Sequence, residues 1–270
     1  MKNYRLRKIT LSIIMLLTVT LMIIPLSSLH AAAPTDSRLD TILKQGFIRI
    51  GTTGDYKPFS FLNPDTNEFE GHDIDAAQKL GEALGVKVVF VKTTWPNLMG
   101  DLLADKYDIG MSGITRTFDR QKKAHFSQGY ILFGKSPLIR SSDKDRFQSL
   151  SDIDKSGVKV GVNPGGTNER FVRAHIKNAE IVLNKNNLEI PGMVADGRVD
   201  VMITDSIEAI RYARFDDRLF AAMLDKTFTK NKFGYMIQRG DPTFANFIDF
   251  WMEEMFLRGD FEKLAKDWID

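Results

Sequence analysis

Two carboxylates stand three residues apart in Thr204-Asp205-Ser206-Ile207-Glu208-Ala209, directly after the apolar stretch 199–203. That stretch reads as a buried strand, and Ile207, Ile210 and Ala213 mark a helix beyond it. On the first turn of a helix, positions three apart share a side, so Asp205 and Glu208 can address one ligand. Either one clamps the ligand while the other serves as an acid, or the Asp-x-x-Glu pattern is a helix cap with Asp205 as the capping residue. In open α/β sheets ligands lie beyond the carboxyl ends of the strands, which is where this pair falls.

Similar groups follow other apolar runs. Ser112-Gly113-Ile114-Thr115 with Arg120 a turn or two later has the makings of a carboxylate receptor, because guanidinium grips carboxylate through two parallel hydrogen bonds. Alone, Arg120 reads better as a solvated residue at a helix start. Asn163-Pro164-Gly165-Gly166-Thr167 feeds a helix N-terminus, whose amides and dipole suit an anion, yet it matches neither a P-loop nor a dinucleotide fingerprint. Trp95 before Pro96, and Asp55-Tyr56 on a Gly/Pro-rich loop, either face a ligand or pack the interior. His72, His125 and His175 lack metal-ligand spacing, and there is no cysteine, so no metal site is expected. No Ser-His-Asp or Cys-His order offers a covalent nucleophile. What remains is a small polar ligand bound without a cofactor, with acid–base work only if the carboxylate pair is more than a cap.

These groups need a scaffold that brings strand ends together. The pattern predicts a helix over 36–44 ending at Gly46, a strand at 47–50, a hairpin over 59–70, a helix from Asp73 (as its cap) to 83, and a strand at 86–91. Pro96 opens a helix over 97–104, and a strand follows at 107–111. The second half repeats the plan: strand 158–162, helix 168–177, a strand near Ile181, a helix ending at Gly197, and the strand that leads to Asp205. Such βα alternation implies mostly parallel sheets flanked by helices. Two lobes are expected, 34–134 plus 231–270 and 135–230, joined by crossovers near 131–138 and 226–236. The C-terminal helices 243–258 and 260–268 return to the first lobe, and the ligand sits in the cleft between lobes.

With 270 residues and 43% hydrophobic content, the chain can bury cores of that size. Residues 1–33 read as a signal peptide: Lys2, Arg5, Arg7 and Lys8 precede an apolar run over 9–24 and a small-residue cleavage zone at Ala31-Ala32-Ala33. The run is short for a membrane span, so no membrane anchor is expected after cleavage, and a periplasmic location follows. Removing those four basic residues turns 37 Lys+Arg against 35 Asp+Glu into a net charge near −2. Basic and acidic residues are interspersed, which argues against a nucleic-acid partner.

The segments Gly51-Thr52-Thr53-Gly54-Asp55-Tyr56-Lys57-Pro58-Phe59, Gly71-His72-Asp73-Ile74-Asp75, 112–120 and the Asp205 strand end resemble the amino-acid-binding proteins of the type 2 periplasmic class, over essentially all of 36–270. Within that class the chain resembles most the periplasmic cyclohexadienyl dehydratases. The match lies in Ser37-Arg38-Leu39-Asp40, 52–60, Trp95-Pro96-Asn97-Leu98-Met99, Met111-Ser112-Gly113-Ile114, 162–169 and 204–209. That branch converts prephenate to phenylpyruvate and arogenate to phenylalanine. The resemblance implies Glu208 as general acid, Gly166 and Asn168 as shapers of the site, and Trp95 and Ile190 as apolar walls. From the binding proteins it implies Arg120 on the substrate carboxylate and Asp205 on an ammonium. His72, where an aromatic is usual, and Pro191-Gly192, in place of bulkier residues, depart from the pattern. An acid at 208 must hold its proton near neutral pH; burial and Asp205 raise its pKa, and the helix N-terminus lowers it. The alternative function is an amino-acid receptor that serves an ABC permease.

Overall fold

The structure, a computed structural model, describes residues 37–269; the signal peptide expected at 1–33 lies outside them. Two five-stranded sheets carry the fold. The first runs in the order Lys87–Lys92, Phe47–Thr52, Ile109–Gly110, Met236–Ile237, His125–Phe126. The second runs Glu180–Leu183, Lys159–Val162, Val201–Asp205, Lys135–Arg140, Leu219–Ala221. In each, the three strands of the βα alternation are parallel, and the remaining two add antiparallel. Both sheets are therefore mixed. The antiparallel strands are segments whose short polar-interrupted patterns carry no βα signal.

Strand alternation sorts the second core into two faces. Val201 and Ile203 join Ile139, Val160 and Phe171 on one side. Met202 joins Leu138, Ile190 and Val199 on the other. A strand covered on both faces reads as a continuous apolar run, which is why 199–203 shows no period of two. The first core packs Ile48, Ile50, Phe59 and Leu80 against Phe244, Ile248, Trp251 and Phe261, so the helices Pro242–Leu257 and Asp260–Trp268 cover the first sheet. Leu132–Phe133 pairs with Asn231–Lys232 where the chain passes between the sheets. The strands Asp55–Tyr56, Ser60–Leu62 and Phe69–Glu70 form a small antiparallel sheet beside the first.

Two helix starts differ from the expectation. The helix His72–Leu84 begins after Gly71, and Asp73, inside its first turn, does not cap it. Its buried carboxylate instead accepts from the Gly113 amide at 2.6 Å and from Tyr130 Oη at 2.7 and 2.8 Å, with His72 Nδ1 2.9 Å from Oδ1. Long-range donors outcompete the local cap because they are themselves buried and need an acceptor. His72 serves as an aromatic, stacked on Tyr130 and Phe261 at 9° and 12°. The other departure, Pro191, occupies the first turn of the helix Ile190–Ala195, where its missing N–H costs no bond. Since Asp73 satisfies donors on three segments, Asp73→Ala should destabilise the protein by about 3 kcal/mol or more. Urea unfolding at pH 7 tests this, and a loss below about 1 kcal/mol would contradict it.

Candidate active site

The register of the second sheet builds the centre of the site. Val201–Asp205 lies antiparallel to Lys135–Arg140 with Asp205 directly opposite Lys135. Side chains so paired are close neighbours on one face. Lys135 Nζ meets Asp205 Oδ1 at 2.5 Å, both side chains being almost wholly buried. The ammonium also donates to Thr167 Oγ1 at 2.9 Å and to Asn168 Oδ1, which fills its three donor positions. Burial pushes the Lys135 ammonium below its ordinary value, and Asp205 pulls it back up. Tyr56 Oη donates to the other Asp205 oxygen at 2.5 Å, and burial with Asp205 drives its pKa well up.

Asp205 stands at the N-cap position of the helix Ser206–Phe215, but its side chain bonds none of the helix amides. The cap allowed for in the sequence does not form, because both carboxylate oxygens are committed to Lys135 and Tyr56. Glu208, on the first turn, is fully buried. Its Oε1 accepts from Asn187 Nδ2 at 2.9 Å, and its Oε2 contacts Thr204 Oγ1. Burial, with Asp205 and Asp55 adding to it, pushes the Glu208 carboxyl up to about 8 against the hydrogen bonds of Thr204 and Asn187. Burial thus shifts Glu208 towards its neutral, protonated form.

A small cavity of about 20 Å³ lies in front of these groups, lined by Tyr56, Trp95, Gly113, Thr115, Asn163, Gly166, Thr167, Asn168, Asn187 and Asp205. Glu208 sits directly behind that wall, in contact with Asn187. Gly166 ends the loop at the N-cap of the helix Thr167–His175, and no side chain crowds its amide. Trp95 turns its indole N–H to Asp55 Oδ1 at 3.0 Å and its edge to Tyr56. Burial raises the Asp55 pKa, partly offset by bonds from Thr53 and Trp95. Thr115 and Thr167 hydroxyls meet at 3.2 Å across the cleft. Gly113, at φ +61°, is confined to glycine because a Cβ would stand 2.5 Å from the Tyr56 ring.

Three of the expected residues are placed differently. Ser112 bonds the Thr53 amide and hydroxyl, and so ties two strand ends together behind the cavity. Arg120 is buried rather than solvated, donates to the Thr115 carbonyl at 2.8 Å, and lines an adjoining cavity with Trp95, Gly165 and Arg170. Burial with Arg170 lowers its pKa to about 10. Ile190 is fully buried in the second core and stands under Gly161, apart from the cavity lining. Lys135, Asn187 and Thr204 are the groups the sequence reading missed. Lys135 had a usable signal, a single cation just ahead of the apolar residues Pro137-Leu138-Ile139. Among the described residues no group of three or more His, Cys, Asp or Glu is arranged to hold a metal ion.

A two-sheet scaffold with a polar cleft at the strand ends defines the class. The chain belongs to the bacterial extracellular solute-binding proteins, family 3, whose profile matches residues 48–270. It is 42% identical to cyclohexadienyl dehydratase of Pseudomonas aeruginosa over 87% of each chain. It is 24% identical to the L-cystine-binding protein TcyJ of Escherichia coli, over 86% of this chain and 85% of that one. Among solved structures, an ancestral amino acid-binding protein that is a precursor of cyclohexadienyl dehydratase is 38% identical, with a TM-score of 0.80, covering 87% of this chain and 100% of its own. An ancestral cyclohexadienyl dehydratase is 52% identical, with a TM-score of 0.56, over 89% and 99%.

The raised Glu208 pKa has a consequence for stability. Between pH 4.5, its ordinary value, and about 8 the folded protein keeps a proton at 208 that the unfolded chain has released. The carboxyl's contribution is therefore fully present below pH 4.5 and is lost as the pH rises to about 8. Glu208→Gln has no such proton. Its stability relative to the wild type should climb from pH 5 to pH 8, by up to about 1.4 kcal/mol per pH unit. Thermal melts of both proteins over that range check this; parallel curves would refute it.

Proposed function

We propose that this protein is a periplasmic cyclohexadienyl dehydratase that acts on prephenate, arogenate or both, with Glu208 as general acid. The observation that carries the reading is a fully buried carboxyl, its pKa raised by that burial to about 8, behind the wall of the cleft. An acid whose pKa lies near the working pH both holds its proton and gives it up readily. Glu208 protonates the ring hydroxyl, which departs as water. The ring carboxylate leaves as CO₂, and its bonding pair enters the ring, which becomes aromatic. Glu208 is left as a carboxylate and regains a proton from solvent.

The remaining roles follow from charge and shape. Trp95 and Tyr56 flank the ring, while the open amides at Gly166–Asn168 and the buried Arg120 supply positive potential for substrate carboxylates. Thr115, Thr167 and Gly113 complete the polar wall. Lys135 favours the enzyme over an amino-acid receptor. Its ammonium already neutralises Asp205, the carboxylate that would otherwise receive a ligand's own ammonium. We assign the cleft to the junction of lobes 34–134 plus 231–270 and 135–230, and we take 1–33 to be removed on export.

Mature protein incubated with prephenate should release phenylpyruvate without added metal or cofactor. No product above the spontaneous rate, together with tight binding of a proteinogenic amino acid, would favour the receptor instead. Glu208→Gln keeps the size and one oxygen but has no acidic proton, so kcat should fall by on the order of 10²–10⁴. A near-normal kcat in that variant would remove Glu208 from the reaction.

A further inference from the structure

Asn187 lies in the short turn between the strand Glu180–Leu183 and the helix Ile190–Ala195, and it is 1% exposed. Its one Nδ2 group makes two bonds in opposite directions, to Glu208 Oε1 at 2.9 Å and to the backbone carbonyl of Asp55 at 3.1 Å. The first partner belongs to the second sheet's helix layer; the second belongs to the small sheet beside the first. The turn that carries Asn187 is braced from within. Asn186 accepts from the Leu188 amide, and Asn184 and Asn186 both donate to the Glu189 carboxylate. Asn187 Oδ1 is buried with no partner. The amide's orientation therefore follows from the two acceptors alone: reversing it would set Oδ1 against both of them.

We propose that Asn187 is a positioning residue that fixes which oxygen of Glu208 carries the acidic proton and ties that arrangement to closure of the cleft. This rests on the reading of Glu208 as general acid. Asn187 Nδ2 can only donate, so it favours an unprotonated Oε1; the Thr204 hydroxyl, which donates to Oε2 of the carboxylate, can turn to accept, so the proton of the neutral acid resides on Oε2. That oxygen faces Thr204, whose Oγ1 also receives Asn168 Nδ2 at 3.1 Å, so the proton sits on the Asn168 side of the wall. Without Asn187 only the Thr204 contact orients the carboxyl, and either oxygen can be presented. When the lobes separate, Asp55 leaves with the first sheet and the amide loses one of its two acceptors. The complete arrangement exists only around a closed cleft, from which water is excluded.

The titratable groups that act on Glu208 are Asp205 on its own element, Asp55 and Tyr56 from the small sheet, Lys135 from the neighbouring strand, and Tyr212 one turn along its helix. None is altered by substituting Asn187. Asn187→Leu keeps the volume without the donor, and Asn187→Ser, being smaller, serves if the leucine variant does not fold. The Glu208 carboxyl is titrated by ¹³C NMR in ligand-free wild type and variant, and kcat and KM for prephenate are measured from pH 5 to 9. Losing a donor to the charged form should move the Glu208 midpoint and the basic limb of the kcat profile up by about one pH unit. Misorientation should lower kcat on the order of ten- to a hundredfold, with a smaller change in KM. A purely structural role would lower the melting temperature and leave both midpoints in place. Unmoved midpoints in a variant, beside full turnover by the wild type, would overturn the proposal alone. A wild type that never dehydrates prephenate, even with a displaced NMR midpoint in the variant, would overturn the acid role and this proposal with it.

Discussion

The buried ion pair of Lys135 and Asp205 is the constraint around which the cleft is arranged. Two charges removed from water are costly unless nearly every polar valence is met, and breaking such a pair leaves an uncompensated charge. Here the requirement is met by Thr167 and Asn168 on the lysine and by Tyr56 on the aspartate. Tyr56 comes from the small sheet beside the first core, whereas the other members come from the second sheet and its helix. Meeting the pair's hydrogen-bond demand therefore draws the two halves together. Tyr56 in turn packs on Phe59, Phe233 and the edge of Trp95, which fixes the aromatic side of the cavity.

The same pair conditions the acid. Glu208 is one helical turn from Asp205, so its carboxyl is both desolvated and set beside a like charge, and both effects oppose ionisation. The two carboxylates of the opening motif thus diverge: one is paired with an internal cation, the other has its pKa raised by its surroundings. That divergence is the general signature of an acid–base site. It depends on the strand register, since a slip of one residue between Val201–Asp205 and Lys135–Arg140 would send Lys135 to the opposite face.

Much of this was legible in the sequence because parallel strands end where ligands bind. The runs before Thr52, Ser112, Asn163 and Thr204 are buried strands, and the polar residues after them gather at one cleft. What sequence left ambiguous was settled by long-range donors. Asp205 and Asp73 both carry local capping patterns, and neither caps, because buried tyrosine, lysine and amide groups far along the chain need their oxygens. Lys135 looked like part of a crossover; only cross-strand register places it opposite Asp205. Arg120 alone carries no sign of burial, which depends on residues far along the chain such as Gly165 and Arg170, with which it lines a cavity. Ile190 heads a short helix whose apolar face the sheet claims, and period alone cannot tell that face from a pocket wall.

An internal ammonium also changes what this scaffold offers a ligand. Without Lys135 the buried carboxylate of Asp205 would have to take its counter-ion from the ligand. With Lys135 in place, Asp205 is neutralised before any ligand arrives, and an ammonium entering the cleft would meet a cation in its slot. A ligand that brings carboxylates without an amine gains instead from Arg120 and the open helix N-terminus at Gly166. Keeping the pair internal holds the Asp205 charge beside Glu208 through the whole cycle, and the acid's elevated pKa does not depend on what is bound. In this arrangement the change from carrying a solute to protonating one needs no new fold: it needs a cation moved from the ligand to the protein, and a carboxyl buried behind it.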